Sequence, residues 1–594
     1  MRGRSVLLLG ALLASLGTTS TAQADSAPFP YSLSIQGGYG SAEVLVPVPI
    51  GTTPTRLSGR ITSSYSTPGD IVVTLNGRTA ARVPAIEGGR FTVDVRADDV
   101  VADAVPVGLR AALEPDSDCL RDDQAVASLQ DPVLRLDAAA PTPRTIADFL
   151  SPASGGFTVV VPANPTPAEQ ASGLDAVLAL RHAYPPTTAV GLTVTADPPA
   201  SAPDSRVVVV DQTDGPGNTL SVLDGRLLIT GAEQDLSDAA IALADPNLTL
   251  LNKPTVTDVH GGADYQPLPG ESDLQSAGIE SLTVSGVGTV TQTVPVPQAL
   301  YGRPVSQLIV ELRGTASPVL PGQQGRVNVR WNDDLVSSQA LTQDSRVLMD
   351  FTVEAADLLA TNYMTLELQY QPAGGDCSNP PLPGTVEIDV RSSTLTPSFG
   401  VSEPPGFQRF PQSFGASIPV WLADPDPATV INAAAILAAA TAPSPLQYTV
   451  ELVDRDTVAD RGGLAVGVSA QDADSLGAPL PDEQDGEDFP AGQGTDYAAL
   501  QAFQSGSVDL ITLSAQPTAE SRELAAWPLA QETGWASLAG QAYVMSAASD
   551  QPEPFETRDT TPDKQTPQLI AAAVITVVLL AALIVWLRRR PKRA

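Results

Sequence analysis

The amino-acid sequence predicts a mixed β and α/β multidomain chain, in which an antiparallel β-sandwich and a small α/β domain occur twice before one C-terminal membrane helix. Three observations lead there. Short motifs recur in the same order at a nearly constant offset. Alternating β-branched runs twice give way to strand–helix alternation. A long apolar run ends in a block of arginines. The length of 594 residues suits three to five domains of about 150 residues each.

Residues 1–24 read as a signal peptide: Arg2 and Arg4, a mostly apolar Val6 to Leu16, then the small-x-small triplet Ala22-Gln23-Ala24. An apolar run of about eleven residues is too short to span a bilayer, so export is expected, with the mature start near Asp25.

The repeat is carried by four matches. Ser34-Ile35-Gln36-Gly37-Gly38-Tyr39-Gly40 is answered by Thr283-Val284-Ser285-Gly286-Val287-Gly288, and Ile71 to Asn76 by Val327 to Asn332. Phe91-Thr92-Val93-Asp94 is answered by Phe351-Thr352-Val353-Glu354, and Cys119 by Cys377. The offsets of 248, 256, 260 and 258 fit a duplication with small insertions and deletions. Short alternating runs such as Asp70 to Asn76 and Met364 to Tyr370, punctuated by Gly, Pro and Asn, predict sandwiches over 30–138 and 280–397.

After each sandwich the texture changes, predicting α/β domains with a largely parallel sheet over 139–255 and 405–547. In the first, the apolar strand Phe157 to Val161 precedes Thr166-Pro167-Ala168-Glu169, an N-cap, a proline at the first helical position and a capping-box acid. In the second, Ile418 to Leu422 precedes Asp426-Pro427 and a helix through Ala440. Later elements are a helix near Tyr497 to Phe503, a strand Val508 to Leu513 and a helix around Arg522 to Trp527.

A polar linker (548–566) leads to a transmembrane helix at 568–587. Leu569 to Leu587 has Thr576 as its only polar member and reaches nearly 30 Å as a helix. Trp586 marks its edge, and Arg588, Arg589 and Arg590 open a basic tail (588–594) expected on the cytoplasmic side. The body is then extracytoplasmic on a single-pass inner-membrane protein.

Charge excludes one class of function. Seven of the 33 basic residues lie in the two terminal segments, so the body sets 26 bases against all 67 acids. Such a body repels phosphate backbones, and no nucleic acid is expected as a partner. With only His182, His260, Cys119 and Cys377 at wide spacing, neither a zinc site nor a histidine-based catalytic triad is indicated. No catalytic residue, cofactor or metal is assigned.

The signal peptide, the duplicated pair and the single C-terminal helix together resemble the BcsB family, the regulatory subunits of bacterial cellulose synthase, often labelled cyclic di-GMP-binding regulatory proteins. The resemblance is clearest in Asp118-Cys119 and Asp376-Cys377, in Phe407-Gln408-Arg409-Phe410-Pro411 and in Gly534-Trp535-Ala536-Ser537-Leu538-Ala539-Gly540. It implies carbohydrate-binding-like sandwiches and flavodoxin-like α/β domains that cap the exit of a glucan channel. It also implies a non-catalytic subunit whose membrane helix packs on the glycosyltransferase subunit that polymerises glucose from UDP-glucose. The chain departs from that family in its acidity and in a plain linker where an amphipathic helix would stand.

The strand–helix turns Pro162 to Pro167 and Ala423 to Pro427 are too rich in proline and carboxylates to cradle a phosphate, so the usual flavin or nucleotide is not expected. Arg56-Leu57-Ser58-Gly59-Arg60 matches half of a cyclic di-GMP arginine motif, but on the wrong side of the membrane for that dinucleotide. Asp472 to Glu483 mimics a calcium loop, though Leu476, Pro479 and Pro481 speak for a solvated acidic insertion. Cys119 and Cys377 either pair or stay separate thiols.

Glucan contact would need exposed aromatic faces with amides alongside. The candidates are Trp331 with Asn332, Tyr39 and Tyr65, with Tyr363 and Tyr370 behind them. Trp331 approaches a turn, Tyr370 lies in an apolar alternation, and filling the core is the open alternative for each. A free-standing membrane-anchored adhesin or carbohydrate-binding protein is the competing function, and a carboxylate-pair glycosidase the third.

Overall fold

A computed structural model describes residues 26–555 apart from 28, 30–32, 38–39, 50, 115–124, 138–140, 152–155, 187, 203–204, 262–264, 374–381, 401–405, 443, 481–495, 517, 532–533 and 550. The signal segment, Tyr39, both cysteines, and the anchor with Leu569, Trp586, Arg588, Arg589 and Arg590 lie outside the described residues. Among those described, no helix is long and apolar enough to cross a membrane. The chain is mostly β-sheet and multidomain.

The first sandwich comprises β1 (Ser26–Ala27), β2 (Leu33–Gln36), β3 (Ser41–Pro47), β4 (Pro54–Ser63), β5 (Gly69–Leu75), β6 (Arg78–Pro84), β7 (Gly89–Asp94), β8 (Ala104–Leu113) and β9 (Val126–Leu136). One antiparallel sheet runs β3-β8-β5-β6; the other runs β1-β9-β4-β7, with β2 also on β9. Period-two alternation sends Ile71, Val73 and Leu75 of β5 into one buried cluster with Leu57, Ile61 and Leu134. Asn76 and Gly77, both at positive φ, make the tight turn from β5 to β6. The Arg56 to Arg60 motif lies within β4, paired on both edges by β7 and β9, so its backbone has no free side to offer a ligand.

The first α/β unit follows with α1 (Ile146–Phe149), β10 (Gly156–Val161), α2 (Pro167–Ala183), β11 (Ala189–Val194), β12 (Arg206–Gln212), β13 (Asn218–Leu223), β14 (Arg226–Gly231), α3 (Glu233–Ile241) and β15 (Thr255–Thr257). The sheet order is β11-β10-β12-β14-β13-β15. At the start of α2, Thr166 Oγ1 accepts from Glu169 N (3.2 Å) and Glu169 Oε2 accepts from Thr166 N (2.8 Å). Glu169 Oε1 also accepts from Gln212 N (3.0 Å), so a carboxylate of the chain itself fills the first strand–helix turn.

The second sandwich has β16 (Ser272–Asp273), β17 (Leu282–Gly286), β18 (Gly288–Pro297), β19 (Val305–Ala316), β20 (Gln324–Trp331), β21 (Asp334–Ala340), β22 (Arg346–Glu354), β23 (Thr361–Gln371), β24 (Gly384–Ile388) and β25 (Thr394–Phe399). Its four-stranded sheet, β18-β23-β20-β21, repeats the order β3-β8-β5-β6. In the facing sheet, β24 and β25 together take the place of the long β9. The matched stretches fall on equivalent strands: Ile71 with Val327 on β5 and β20, Phe91 with Phe351 on β7 and β22, Ser34 with Thr283 on β2 and β17.

The last unit contains β26 (Ser417–Leu422), α4 (Pro427–Thr441), β27 (Thr449–Leu452), α5 (Arg455–Arg461), β28 (Gly463–Val468), α6 (Ala470–Ser475), β29 (Tyr497–Ser505), β30 (Val508–Ser514), α7 (Thr518–Ala526), β31 (Ala542–Ser546) and β32 (Glu553–Phe555). Its order β27-β26-β28-β30-β29-β31-β32 repeats the first unit with one strand added.

Two expectations change here. Only four neighbouring strands of each α/β sheet are parallel; the hairpins β13–β14 and β29–β30 make the remainder antiparallel. Tyr497 to Phe503 is strand, not helix, because pairing with β30 and β31 on both edges outweighs the helix propensity of its alanines. Of the acidic stretch from Asp472, residues 481–483 lie outside the described residues, and Asp472 and Asp474 sit in the short α6, where Ser469 Oγ accepts from Asp472 N (3.1 Å).

The two α/β units share one core. α2 packs on α4, α4 on β11 and α2 on β27, and Leu174, Val177 and Leu178 join Val430, Ile436 and Leu437 in a single buried cluster. Asp175 lies in this seam at 1% exposure, accepting from Val450 N (2.7 Å) and from the Ser237 hydroxyl. Burial pushes its pKa up to about 7; the two donors pull it back, and Asp238 nearby adds to the rise.

An unfolded aspartate titrates near 3.9, so between about pH 4 and 7 the folded chain holds this proton more tightly than the unfolded one. The group therefore favours folding at low pH, and that contribution is lost as pH rises through about 7. Asp175→Asn should leave stability unchanged near pH 4 and raise it at pH 8, by at most roughly 4 kcal/mol. Urea denaturation at the two pH values checks this.

Candidate functional site

Trp331 ends β20 on the same face as Val327 and Val329, and alternation carries it inward to 2% exposure. It meets Phe351 edge-on at 6.3 Å, and its Nε1 donates to Asn362 Oδ1 (3.2 Å). Asn332 and Asp333, both at positive φ, form the tight turn to β21. The Asn332 amide is engaged with Asp357 O (3.0 Å), Asn362 Oδ1 (3.1 Å) and Tyr363 N (2.9 Å). Tyr65 is 3% exposed, with its hydroxyl donating to Gly37 O (2.7 Å). Trp331 and Tyr65 are thus core residues with satisfied polar ends, which corrects the expectation that they offer faces to a sugar. Tyr370 is buried as its alternation implied.

Tyr363 differs. It stands 42% exposed on the outer face of the sheet β18-β23-β20-β21. The same face carries Thr365, Glu367 and Gln369 of β23 and, in register beside them, Arg330, Asn328 and Arg326 of β20. Glu367 Oε1 accepts from Asn328 Nδ2 (2.8 Å) and Gln369 Nε2 (2.7 Å), and its Oε2 from Arg330 Nε (3.3 Å). Ser338 Oγ donates to Asn328 Oδ1 (2.7 Å) and accepts from Arg326 Nη1 (2.7 Å). Thr293 of β18 and Thr365 share a hydroxyl contact at 2.8 Å. The result is a braced array in which Asn328 and Glu367 are buried and hold Arg326, Arg330, Ser338, Thr365 and Gln369 toward the surface, beside one exposed ring. Such a surface can hydrogen-bond a polyhydroxylated ligand and stack on its apolar face.

The first sandwich lacks this array. Its equivalent pairs are Val72 with Arg110, Thr74 with Gly108 and Asp70 with Ala112, in place of Asn328 with Glu367, Arg330 with Thr365 and Arg326 with Gln369. Pro106 stands where Tyr363 does. The copies keep the fold and differ on this face.

The two longer motifs behind the resemblance meet as a structural lock. Trp535 Nε1 donates to Phe407 O (3.0 Å), and the rings meet edge-on at 5.5 Å. Gln408 Nε2 donates to Leu538 O (2.6 Å), while its Oε1 accepts from Ala360 N (3.0 Å) of the second sandwich. Arg409 pairs with Asp509 at 3.0 Å, both largely buried.

No protein-family model matches the chain, and no curated protein matches it. Among solved structures, the tandem CBM22-1–CBM22-2 domain of Paenibacillus barcinonensis Xyn10C is 10% identical over 62% of this chain and 87% of that one, with a TM-score of 0.13. The CBM36-1 domain of a multidomain xylanase from the hindgut metagenome of Trinervitermes trinervoides is 14% identical over 22% of this chain and 99% of that one, at 0.12. An acetyl xylan esterase (Est2A) from the rumen bacterium Butyrivibrio proteoclasticus is 12% identical over 30% of this chain and at 0.13; the present chain covers 46% of its length. At these scores the likeness carries no functional argument.

Trp331→Ala should destabilise the fold by about 3–5 kcal/mol in urea denaturation, as loss of a fully packed indole does. Tyr363→Ala should change stability by no more than about 0.5 kcal/mol, as expected of a surface position.

Proposed function

We propose that this chain is a non-catalytic accessory protein that binds a β-glucan chain through the outer face of its second sandwich. The observation that carries the reading is the array around Glu367 with Tyr363 at its edge, built in one copy of the duplicated sandwich and missing from the other. In this reading the body stands outside the inner membrane on its C-terminal helix and works beside the glycosyltransferase subunit of a cellulose or related β-glucan synthase. The expected export signal, the apolar run at 568–587 and the duplicated architecture support it.

Two measurements test the proposal. Tyr363→Ala should weaken retention of the full chain on insoluble cellulose or soluble β-glucan about ten-fold, the scale of one lost stacking contact. Equal retention would remove the sheet face as the contact. Deletion of 568–594 should abolish co-purification with a membrane glycosyltransferase and reduce polymer synthesis in membranes. Full synthesis without the anchor, with glucan binding retained, would favour a free-standing carbohydrate-binding protein.

A further inference from the structure

Arg206 opens β12 at 5% exposure. Its guanidinium lies over the Phe149 ring at 5.9 Å, a contact that serves the cation's face and leaves its N–H edge unsatisfied. Nε and Nη1 have no hydrogen-bond partner, and among the described residues no carboxylate forms an ion pair with it. Burial lowers its pKa, opposed by Tyr184 and Asp148 nearby. A guanidinium withdrawn from water without a counter-ion is strongly destabilising, and proteins ordinarily supply the missing partner.

The surroundings show where that partner fits. Arg206 lines a cleft of about 460 Å³ between the first sandwich and the first α/β unit, with Gly51 on one wall and Thr142, Arg144, Asp148 and Ser151 on the other. Among the described residues Asp148 is the one acid on the lining, and its Oδ2 is committed to the backbone N–H groups of Arg144 (3.2 Å) and Thr145 (3.0 Å). Two arginines against one tethered carboxylate make the described lining positive within a chain of net charge −34. The forked donors of a guanidinium match the paired oxygens of a carboxylate or phosphate. The volume exceeds that of a bare inorganic anion and lies in the range of small-molecule sites.

We propose that this cleft binds an oxyanion, a carboxylate or phosphate group carried on a molecule about the size of a monosaccharide, with Arg206 as its buried counter-ion and Arg144 as a second contact. The site is separate from the sheet face around Tyr363 and does not depend on the reading given to that face.

Titration calorimetry on the full chain, with glucuronate, glucose 6-phosphate and neutral glucose at matched chloride concentration, tests it. Saturable binding of either charged sugar, at least ten-fold tighter than glucose, is expected; which one binds identifies the oxyanion. Arg206→Gln and the exposed Arg144→Gln should each weaken binding about ten-fold, while Tyr363→Ala leaves it unchanged. Arg144→Gln removes no buried group and keeps the test alive should the Arg206 variant fail to fold. Absence of binding by both charged sugars, equal binding of glucose, or wild-type affinity in Arg144→Gln would overturn the proposal.

Discussion

The architecture rests on the burial of α4 against α2. Pro427 to Thr441 is apolar on nearly every side, with Val430, Ile436 and Leu437 among alanines, and a helix of that composition is stable only when covered all round. Its own sheet covers part of it; α2 and the edge strand β11 of the other α/β unit cover more. The two copies are thereby one folded body, and each sandwich is carried on a shared base. Gln408 and Trp535 extend that rigidity to the second sandwich, joining Ala360 to the last α/β unit.

On such a base the sheets could diverge without loss of fold. The inner faces of β5 and β20 stay apolar, with Ile71, Val73 and Leu75 answered by Val327, Val329 and Trp331. The outer faces are mixed: Val72, Asn328 and Glu367 are buried there, while Tyr363 and Gln369 stand exposed. There Val72 and Arg110 occupy one copy, and Asn328 and Glu367 the other.

Much of the fold was legible in the sequence, for reasons visible at particular residues. Thr166-Pro167-Ala168-Glu169 announced a helix start because all of its signals are local, and the hydrogen bonds are the ones those residues imply. Tyr497 to Phe503 was not legible, since alanines there favour a helix until two neighbouring strands claim them. For Trp331 the adjoining turn and the alternation with Val327 and Val329 point opposite ways, and the alternation decides: the ring lies inward. The array around Glu367 draws on four strands, and Arg206 is orphaned by packing between units; neither arrangement has a signature within one segment.

The pseudo-symmetric seam also bears on origins. Position 172 of α2 and position 432 of α4 are equivalent, and Ser172 and Asn432 are both buried in two helices that pack on one another. A single-copy ancestor would have exposed this greasy surface unless a second molecule covered it with the same surface turned about a two-fold axis. The halves differ at this seam: Asp175 of α2 accepts from Val450 N of β27 in the other unit, while the corresponding residue of α4 is Ala435.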